Sequence, residues 1–140
     1  MGVPKKITVK TKVNAPVPMV WMYWTDPRHV KKWNNASPDW HTPKAENDLR
    51  EGSMFNYRME AKDGSYGFDF WGTYNEIEPN HKITFTLGDG RWVGIQFIDA
   101  DGQTQITEIF EAEDTNPLDM QKTGWQAILD NFKQYVESES

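Results

Sequence analysis

Hydrophobic and polar residues alternate in several short stretches of the chain, which is the pattern of half-buried β-strands. From Lys6 to Val13 every second residue is apolar or Thr, and from Ser53 to Ala61 the side chains of Phe55, Tyr57 and Met59 share one face. Turn sequences, among them Asp63-Gly64 and Asp101-Gly102, separate the later stretches. Four more strands are therefore predicted, at Tyr66–Ile77, Lys82–Leu87, Arg91–Ile98 and Gln103–Ala112, and consecutive strands joined in this way form an antiparallel meander.

Helical spacing replaces the alternation after the first strand and again at the end of the chain. A helix is predicted from about Ala15 to Trp24 with Asn14 as its N-cap. Asp26 then caps a second short helix that Pro27 opens and that ends near Trp33.

The segment from Asn34 to Arg50 has two prolines and no sustained period, so it is predicted to be a long loop. After the meander, Asn116 can cap and Pro117 can open a long amphipathic helix. The apolar face of this helix comprises Leu118, Trp125, Ile128, Leu129, Phe132 and Val136.

This order of elements predicts an α+β fold in which a curved antiparallel sheet of about six strands surrounds the C-terminal helix. The aromatic face of the sheet must be covered, and that helix is the element long enough to cover it. A curved sheet that grips one helix encloses space that a single layer of side chains does not fill. We therefore expect one domain over residues 1–140 with an internal pocket.

Composition narrows the function classes. The chain has 140 residues, 14% of them aromatic, a net charge of −6 and no cysteine. The negative charge disfavours nucleic acid as a partner, and the lack of cysteine excludes disulfides and thiolate chemistry. The sequence contains no apolar run of the length that a membrane span needs and no signal-peptide pattern, so we expect a cytoplasmic protein with no cofactor and no metal.

Several segments together resemble a known family. They are APVPMVWMYWTDP, the KKW that ends at Trp33, DLREGSMFNYRM, GTYNEIEPNHKITFT and GWQAILDNFKQYV. Their order resembles the helix-grip superfamily of START-like (SRPBCC) domains, within it the group homologous to the activator of heat shock protein 90 ATPase, also labelled polyketide-cyclase-like. The resemblance runs from about Ile7 to Val136.

The resemblance implies a helix-grip fold whose cavity takes lipids, sterols, polyketides or hormones, with catalysis in a minority of relatives. Periodicity and resemblance agree on the apolar lining. The predicted ligand-binding residues are Trp21, Trp24, Phe55, Tyr57, Met59, Phe68, Phe70, Tyr74, Glu108, Trp125, Ile128 and Phe132.

Glu108 is the first candidate for chemistry, because the alternation in ITEIF places it on the same face as Ile106 and Phe110. A carboxyl group buried there would have a raised pKa and serve as a proton donor or as an anchor for a ligand hydroxyl. The alternatives are that Ile109 faces inward instead or that an arginine neutralises the carboxylate. Tyr57 and Tyr74 are ligand partners or ordinary core tyrosines, and parity places Asp69 outward.

The predicted loop collects polar residues. Asp39, His41, Glu46 and Asp48 lack the fixed spacing of a metal motif, so a polar lid is the preferred interpretation. Trp40 and His41 are viewed as a gate over the cavity mouth. No G-x-S-x-G sequence or phosphate-binding loop is present.

The leading hypothesis is a binding protein for a small, apolar or amphipathic molecule that is aromatic, lipid-like or polyketide-like. The first alternative is an enzyme of cyclase or aromatase type, in which Glu108 or a tyrosine transfers a proton and Glu108→Gln abolishes turnover but spares binding. The second is a chaperone-associated interaction domain, suggested by the family label alone. Trp71 is predicted to point outward, where an exposed indole beside another aromatic residue would mark a protein contact or a homodimer surface.

Overall fold

The computed structural model describes residues 5–139, which form a curled antiparallel sheet around a long C-terminal helix. The strands are β1 (Lys6–Val13), β2 (Trp40–Asn47), β3 (Met54–Ala61), β4 (Gly67–Glu78), β5 (Lys82–Leu87), β6 (Trp92–Ala100) and β7 (Gln103–Glu111). The helices are α1 (Val17–Thr25), α2 (Pro27–Trp33) and α3 (Leu118–Glu139). The α+β fold class, the two short helices after the first strand and the long last helix are confirmed.

The strands follow the order β1-β7-β6-β5-β4-β3-β2, so β3 to β7 form the predicted meander and β1 closes on β7. Alternation along each strand determines which side chains face the core. In β7 every second residue from Thr104 to Phe110 is buried, and the intervening residues are half-buried. The turn between β6 and β7 has positive φ at both Asp101 and Gly102, the backbone that joins a two-residue hairpin to twisted strands.

The prediction of a long loop over Asn34–Arg50 was wrong in part. Within the described residues the sheet has seven strands, because part of that segment, β2, pairs with β3 at the edge of the sheet. The register shifts between His41 and Lys44, on either side of Pro43. Proline is tolerated at an edge or at a bulge, where its missing N–H removes no ladder hydrogen bond. The bulge also breaks the alternation by which a strand is recognised.

The predicted N-cap of α1 was also wrong. Pro16 occupies the cap position without a side-chain hydrogen bond, and the backbone N–H of Asn14 donates to Glu137 Oε2 at 2.8 Å instead. The cap of α2 is confirmed, since the carboxylate of Asp26 accepts from the backbone N–H of Arg28 at 2.9 Å.

Helix α3 is fastened to one side of the sheet. Gln126 Nε2 donates to the carbonyl of Lys10 at 3.0 Å, and Lys133 Nζ donates to the carbonyl of Lys12 at 2.7 Å. Both carbonyls belong to edge strand β1. In addition, the ring of Trp125 stacks on that of Phe110 with centroids 3.9 Å apart. The helix therefore lies against β1 and β7.

The start of α3 depends on one buried amide. Gln121 is 7% exposed, and its Nε2 donates to the carbonyls of Glu113 and Asn116 at 3.2 and 2.8 Å. Its Oε1 accepts from the backbone N–H of Glu113 at 2.9 Å. These three bonds hold the connection between β7 and α3 against the helix.

We expect Gln121→Leu to lower the free energy of unfolding by about 2 kcal/mol, because it leaves three backbone groups in a partly buried turn without their partners. Urea denaturation measures this change. The matched control is Gln134→Leu, at an exposed position of the same helix, which should change stability by less than about 0.5 kcal/mol. Equal effects of the two substitutions would contradict the assigned role of Gln121.

Candidate functional site

A cavity of about 290 Å³ lies between the concave face of the sheet and α3. Half of its lining residues are aromatic. It is lined by Trp24, Thr25, Trp33, Asn34, Phe55, Tyr57, Met59, Phe68, Phe70, Tyr74, Ile83, Phe85, Arg91, Ile95, Glu108, Glu113, Trp125 and Ile128. Thus ten of the twelve residues predicted from the sequence to bind a ligand line the cavity, and Trp21 and Phe132 do not.

The aromatic wall follows from the pairing of β3 with β4. Met59 lies opposite Phe68, and Tyr57 lies opposite Phe70, so two cross-strand pairs present four large side chains to the same face. Phe55 adds a fifth, with its ring centroid 5.0 Å from that of Tyr57. Rings in this arrangement provide broad apolar surface with little rotamer freedom, which suits a preformed site.

The C-terminal ends of α1 and α2 close one end of the cavity. The rings of Trp24 and Trp33 lie 4.9 Å apart, and the indole N–H of Trp33 donates to the carbonyl of Tyr23 at 3.0 Å. Beneath them, Asn131 Nδ2 of α3 donates to the carbonyl of Trp33 at 2.8 Å. Two short helices are thereby joined to the long one at this end.

Glu108 lies in the interior of the fold. It stands in β7 between Ile95 of β6 and Val9 of β1, and the residue is only 7% exposed. Within residues 5–139 no group donates a hydrogen bond to its carboxyl oxygens and no cation pairs with it. Burial alone raises the pKa of Glu108 to about 8, because removal from water penalises the charged form. The carboxyl group is therefore largely protonated at neutral pH.

A chain of hydrogen bonds leads from the cavity wall to the edge of the sheet. Tyr74 donates its phenol proton to Asn47 Oδ1 at 2.6 Å, and Asn47 Nδ2 donates to the carbonyl of Thr25 at 2.7 Å. Tyr57 interacts through its phenol with Tyr74. Burial raises the pKa of both phenols, so both stay neutral over the physiological range. These neutral phenols belong to β3 and β4, whereas Glu108 belongs to β7, so the polar groups of the lining lie on different strands.

Arg91 and Glu113 bring charge to another part of the lining. Arg91 Nε contacts Asp89 Oδ2 at 2.8 Å, so its charge is paired outside the cavity. Glu113 Oε1 accepts from the backbone N–H of Asn116 at 2.6 Å. Both residues lie in connections next to strand ends, where alternation carries no information about direction.

The two predicted ligand residues outside the lining have other contacts. Trp21 packs its ring against Phe97 with centroids 5.2 Å apart and is not part of the lining. Phe132 is completely buried beneath Trp24 and Trp33, with ring centroids 4.8 and 4.9 Å away. Phe132 thus supports the two indoles that do line the cavity.

The proposed gate residues also lie outside the lining. The ring of Trp40 is 6.0 Å from those of Tyr66 and Phe68, and His41 Nε2 is 4.0 Å from Glu60 Oε1. Trp40 therefore reaches the cavity only through Phe68. Among the described residues no group of three His, Asp or Glu side chains is arranged to hold a metal ion, including Asp39, Glu46 and Asp48.

Asp69 and Trp71 point outward from the sheet, as the alternation along the strand predicted. The carboxylate of Asp69 is half exposed and lies 3.6 Å from the guanidinium of Arg58. Trp71 is 39% exposed, and its indole covers the backbone at Gly88. Trp92 covers Gly94 in the same way. Because these indoles pack on their own sheet, they lend no specific support to a dimer or a chaperone contact.

Several lining residues were missed by the sequence analysis. Ile83, Phe85 and Ile95 lie on predicted strands, and their alternation with polar neighbours was a usable signal. Trp33 and Asn34, by contrast, reach the cavity only because α2 ends there.

No helix in residues 5–139 is long and apolar enough to cross a membrane.

The curled seven-stranded sheet, the gripped helix and the aromatic-lined cavity define a helix-grip protein of the START-like class. Residues 14–137 match the family described as activator of Hsp90 ATPase homolog 1-like protein, and the chain belongs to that family. No curated protein matches the chain.

Solved structures agree with this assignment. An AHSA1-like protein from Aeromonas hydrophila is 43% identical, with a TM-score of 0.91 over 96% of this chain and 94% of the other. A protein from Cytophaga hutchinsonii, Chr148, is 49% identical with a TM-score of 0.83 over 96% and 93%. The protein NE0264 from Nitrosomonas europaea, 18% identical, shares the fold with a TM-score of 0.83 over 99% and 98%.

The burial of Glu108 makes stability depend on pH. Between the ordinary glutamate pKa of 4.5 and about 8, the folded protein keeps a proton that the unfolded chain releases. The free energy of unfolding therefore falls as pH rises, by at most about 1.4 kcal/mol per pH unit from this group. The side chain of Glu108→Gln cannot ionise. We therefore expect the free energy of unfolding of this variant, relative to that of the wild type, to increase by a few kcal/mol from pH 5 to pH 9.

Urea denaturation at pH 5, 7 and 9 measures the difference in free energy of unfolding between the two proteins. The other titrating groups contribute equally to both proteins, so their effects cancel in this difference. Glu76→Gln removes one exposed carboxylate and serves as the matched control. A difference between wild type and Glu108→Gln that stays constant over this pH range would show that Glu108 does not hold its proton.

Proposed function

We propose that this protein binds a small, largely apolar molecule with one or two polar groups in the cavity between the sheet and α3. One observation carries the proposal: an aromatic-lined cavity that contains a buried carboxyl group with no partner among the described residues. A polar group in such a position costs free energy in the empty protein. A bound molecule that hydrogen-bonds to it would recover that cost.

The affinity of such a ligand would come mainly from burial of its apolar surface, and polar contacts would set its orientation. A ligand that loses about 250 Å² of apolar surface to the cavity gains roughly 6 kcal/mol before the cost of association. The polar groups of Glu108 and Tyr57 lie on different strands, so hydrogen bonds to both would fix the orientation of the ligand in the cavity. A volume of about 290 Å³ is at the lower end for ligand cavities, which favours a molecule of one to three rings or a short acyl chain.

Family membership supports the same conclusion. The fold that this chain shares with the activator of Hsp90 ATPase homolog 1-like family typically binds hydrophobic ligands. Membership does not identify the ligand, so aromatic, lipid-like and polyketide-like molecules are all included in the proposal. The site residues proposed for this role are the cavity-lining ones on β3, β4, β7 and α3, together with Trp24 of α1.

We expect at least one of decanoic acid, naringenin and emodin to raise the melting temperature of the purified protein. A ligand that binds only the native state stabilises it by about 2.7 kcal/mol at a hundred times its Kd, which corresponds to several degrees for a chain of this size. Differential scanning fluorimetry measures the shift, and isothermal titration calorimetry gives the stoichiometry. No shift with any of these classes would count against the proposal.

Ile128→Trp tests the location, because Ile128 lines the cavity from α3 and a larger side chain fills it. We expect this variant to lose more than about tenfold in affinity for the ligand found. Ile98→Trp, at an exposed position on β6, is the matched control and should bind as the wild type does. Binding that is unchanged in Ile128→Trp, with its melting temperature retained, would place the ligand elsewhere.

A second candidate function is proton transfer to a bound cyclase-type substrate. The protonated carboxyl group of Glu108 in an apolar cavity favours it, since a pKa of about 8 suits a general acid near neutral pH. In that case, incubation with a ligand from the panel should yield a new species by mass spectrometry. Glu108→Gln should then abolish the product and retain binding. Recovery of the unchanged ligand would exclude this function for the compounds tested.

A further inference from the structure

We infer that the ligand carries a positive charge, an amphipathic organic ammonium whose cationic head lies between the Glu108 carboxylate and the aromatic rings of the cavity. This inference rests on the proposed function and specifies the class of molecule bound at the same site. Three features of the cavity carry it, namely its unpaired carboxyl group, its aromatic surface and its balance of charge.

The unpaired carboxyl group comes first. Glu108 is flanked by Ile95 and Val9, and it has no donor or cation among residues 5–139. A neutral ligand needs only a hydrogen bond, and the phenol oxygens of Tyr57 and Tyr74 in the lining can accept one. A buried carboxylate gains most from a cation, because only an opposite charge offsets the loss of its hydration.

The aromatic surface provides the second feature. The indoles of Trp24, Trp33 and Trp125 line the same cavity as Glu108. The negative face of an aromatic ring attracts an ammonium group, indole most strongly, by about 2 kcal/mol or more when both are desolvated. Alkyl groups on the nitrogen add apolar contact with the same rings. An aromatic cage that also contains a carboxylate is thus complementary to a substituted ammonium head.

The charge balance is the third feature. Among the described residues, the charged members of the lining are Glu108, Glu113 and Arg91. Arg91 is paired with Asp89, so its guanidinium does not neutralise Glu108. The whole chain carries a net charge of −6, which also attracts cations rather than anions. When Glu108 is ionised, the lining carries two carboxylates and one guanidinium that is paired with Asp89, and this balance favours a positive ligand over a fatty-acid carboxylate.

The groups that face Glu108 define the pH dependence. Its strand neighbours are Val9 of β1 and Ile95 of β6, and α3 contributes the uncharged Trp125 and Ile128 to the same cavity lining. The remaining titratable groups of the cavity are Tyr57 and Tyr74, which stay protonated, and Arg91 and Glu113, which are bonded to Asp89 and to the backbone N–H of Asn116. Ionisation of Glu108 therefore governs binding between pH 6 and pH 9.

The test compares two probes of the same shape: para-(trimethylammonio)benzyl alcohol and its uncharged counterpart para-tert-butylbenzyl alcohol. We expect the ammonium probe to bind wild-type protein more than about tenfold more tightly than the uncharged probe at pH 9. We also expect its affinity to rise more than about tenfold from pH 6 to pH 9, since binding requires the deprotonated carboxylate. The affinity of the uncharged probe should stay constant. Isothermal titration calorimetry measures both.

Glu108→Gln should remove the preference for the ammonium probe and keep the binding of the uncharged one, whereas Glu76→Gln should change neither. The pH series on wild-type protein keeps the test valid if Glu108→Gln does not fold. Equal affinities of the two probes for the wild type would overturn the inference and leave the proposed function intact. Failure of both probes, together with failure of decanoic acid, naringenin and emodin, would overturn the proposed function itself.

Discussion

The position of α3 against one side of the sheet is the constraint on which the rest of the molecule depends. The helix is fastened to β1 by hydrogen bonds from Gln126 and Lys133 to strand carbonyls, and to β7 by the stack of Trp125 on Phe110. On the other side, the nearest aromatic contact of Trp125 is an edge-on approach to Phe70 at 6.0 Å. A helix that is close to one wall of a half-barrel leaves space at the other. The cavity is thus a consequence of how the sheet holds the helix.

Glu108 shows how strand geometry can place an ionisable group in a core. Alternation in β7 buries Thr104, Ile106 and Phe110, and the same period carries Glu108 inward with them. Its position beside apolar neighbours gives it no internal partner and holds its proton to a pH of about 8. A core packed for stability alone would have an apolar residue here, because an unpaired buried carboxyl group costs stability increasingly as pH rises from 4.5 to about 8. Its presence at the cavity wall is the strongest local sign of a function.

The sequence predicted the parts of the fold that depend on local periodicity. Inward faces of β3, β4 and β7 followed from alternation, so Phe55, Tyr57 and Glu108 could be named beforehand. Strand β2 was not found, because Pro43 and the adjacent bulge interrupt its alternation and the strand gains its pairing from β3. On the early helices, spacing alone could not separate Trp21 from Trp24. Both indoles contact Phe97, and Trp24 also packs on Trp33 and Phe132, so tertiary packing determines which indole reaches the cavity.

The missed strand also contributes to the site. Asn47, at the end of β2, accepts the hydrogen bond from Tyr74 and donates to the carbonyl of Thr25 at the end of α1. One amide therefore joins the edge strand, the aromatic wall and the helix that closes the cavity. Strand β2 pairs with one neighbouring strand, and its buried Thr42 donates a hydrogen bond to the carbonyl of Asn34 at the end of α2 at 2.6 Å. Opening of β2 would release Tyr74 and the end of α1 together, and a ligand that orders this end of the cavity would in turn stabilise the edge of the sheet.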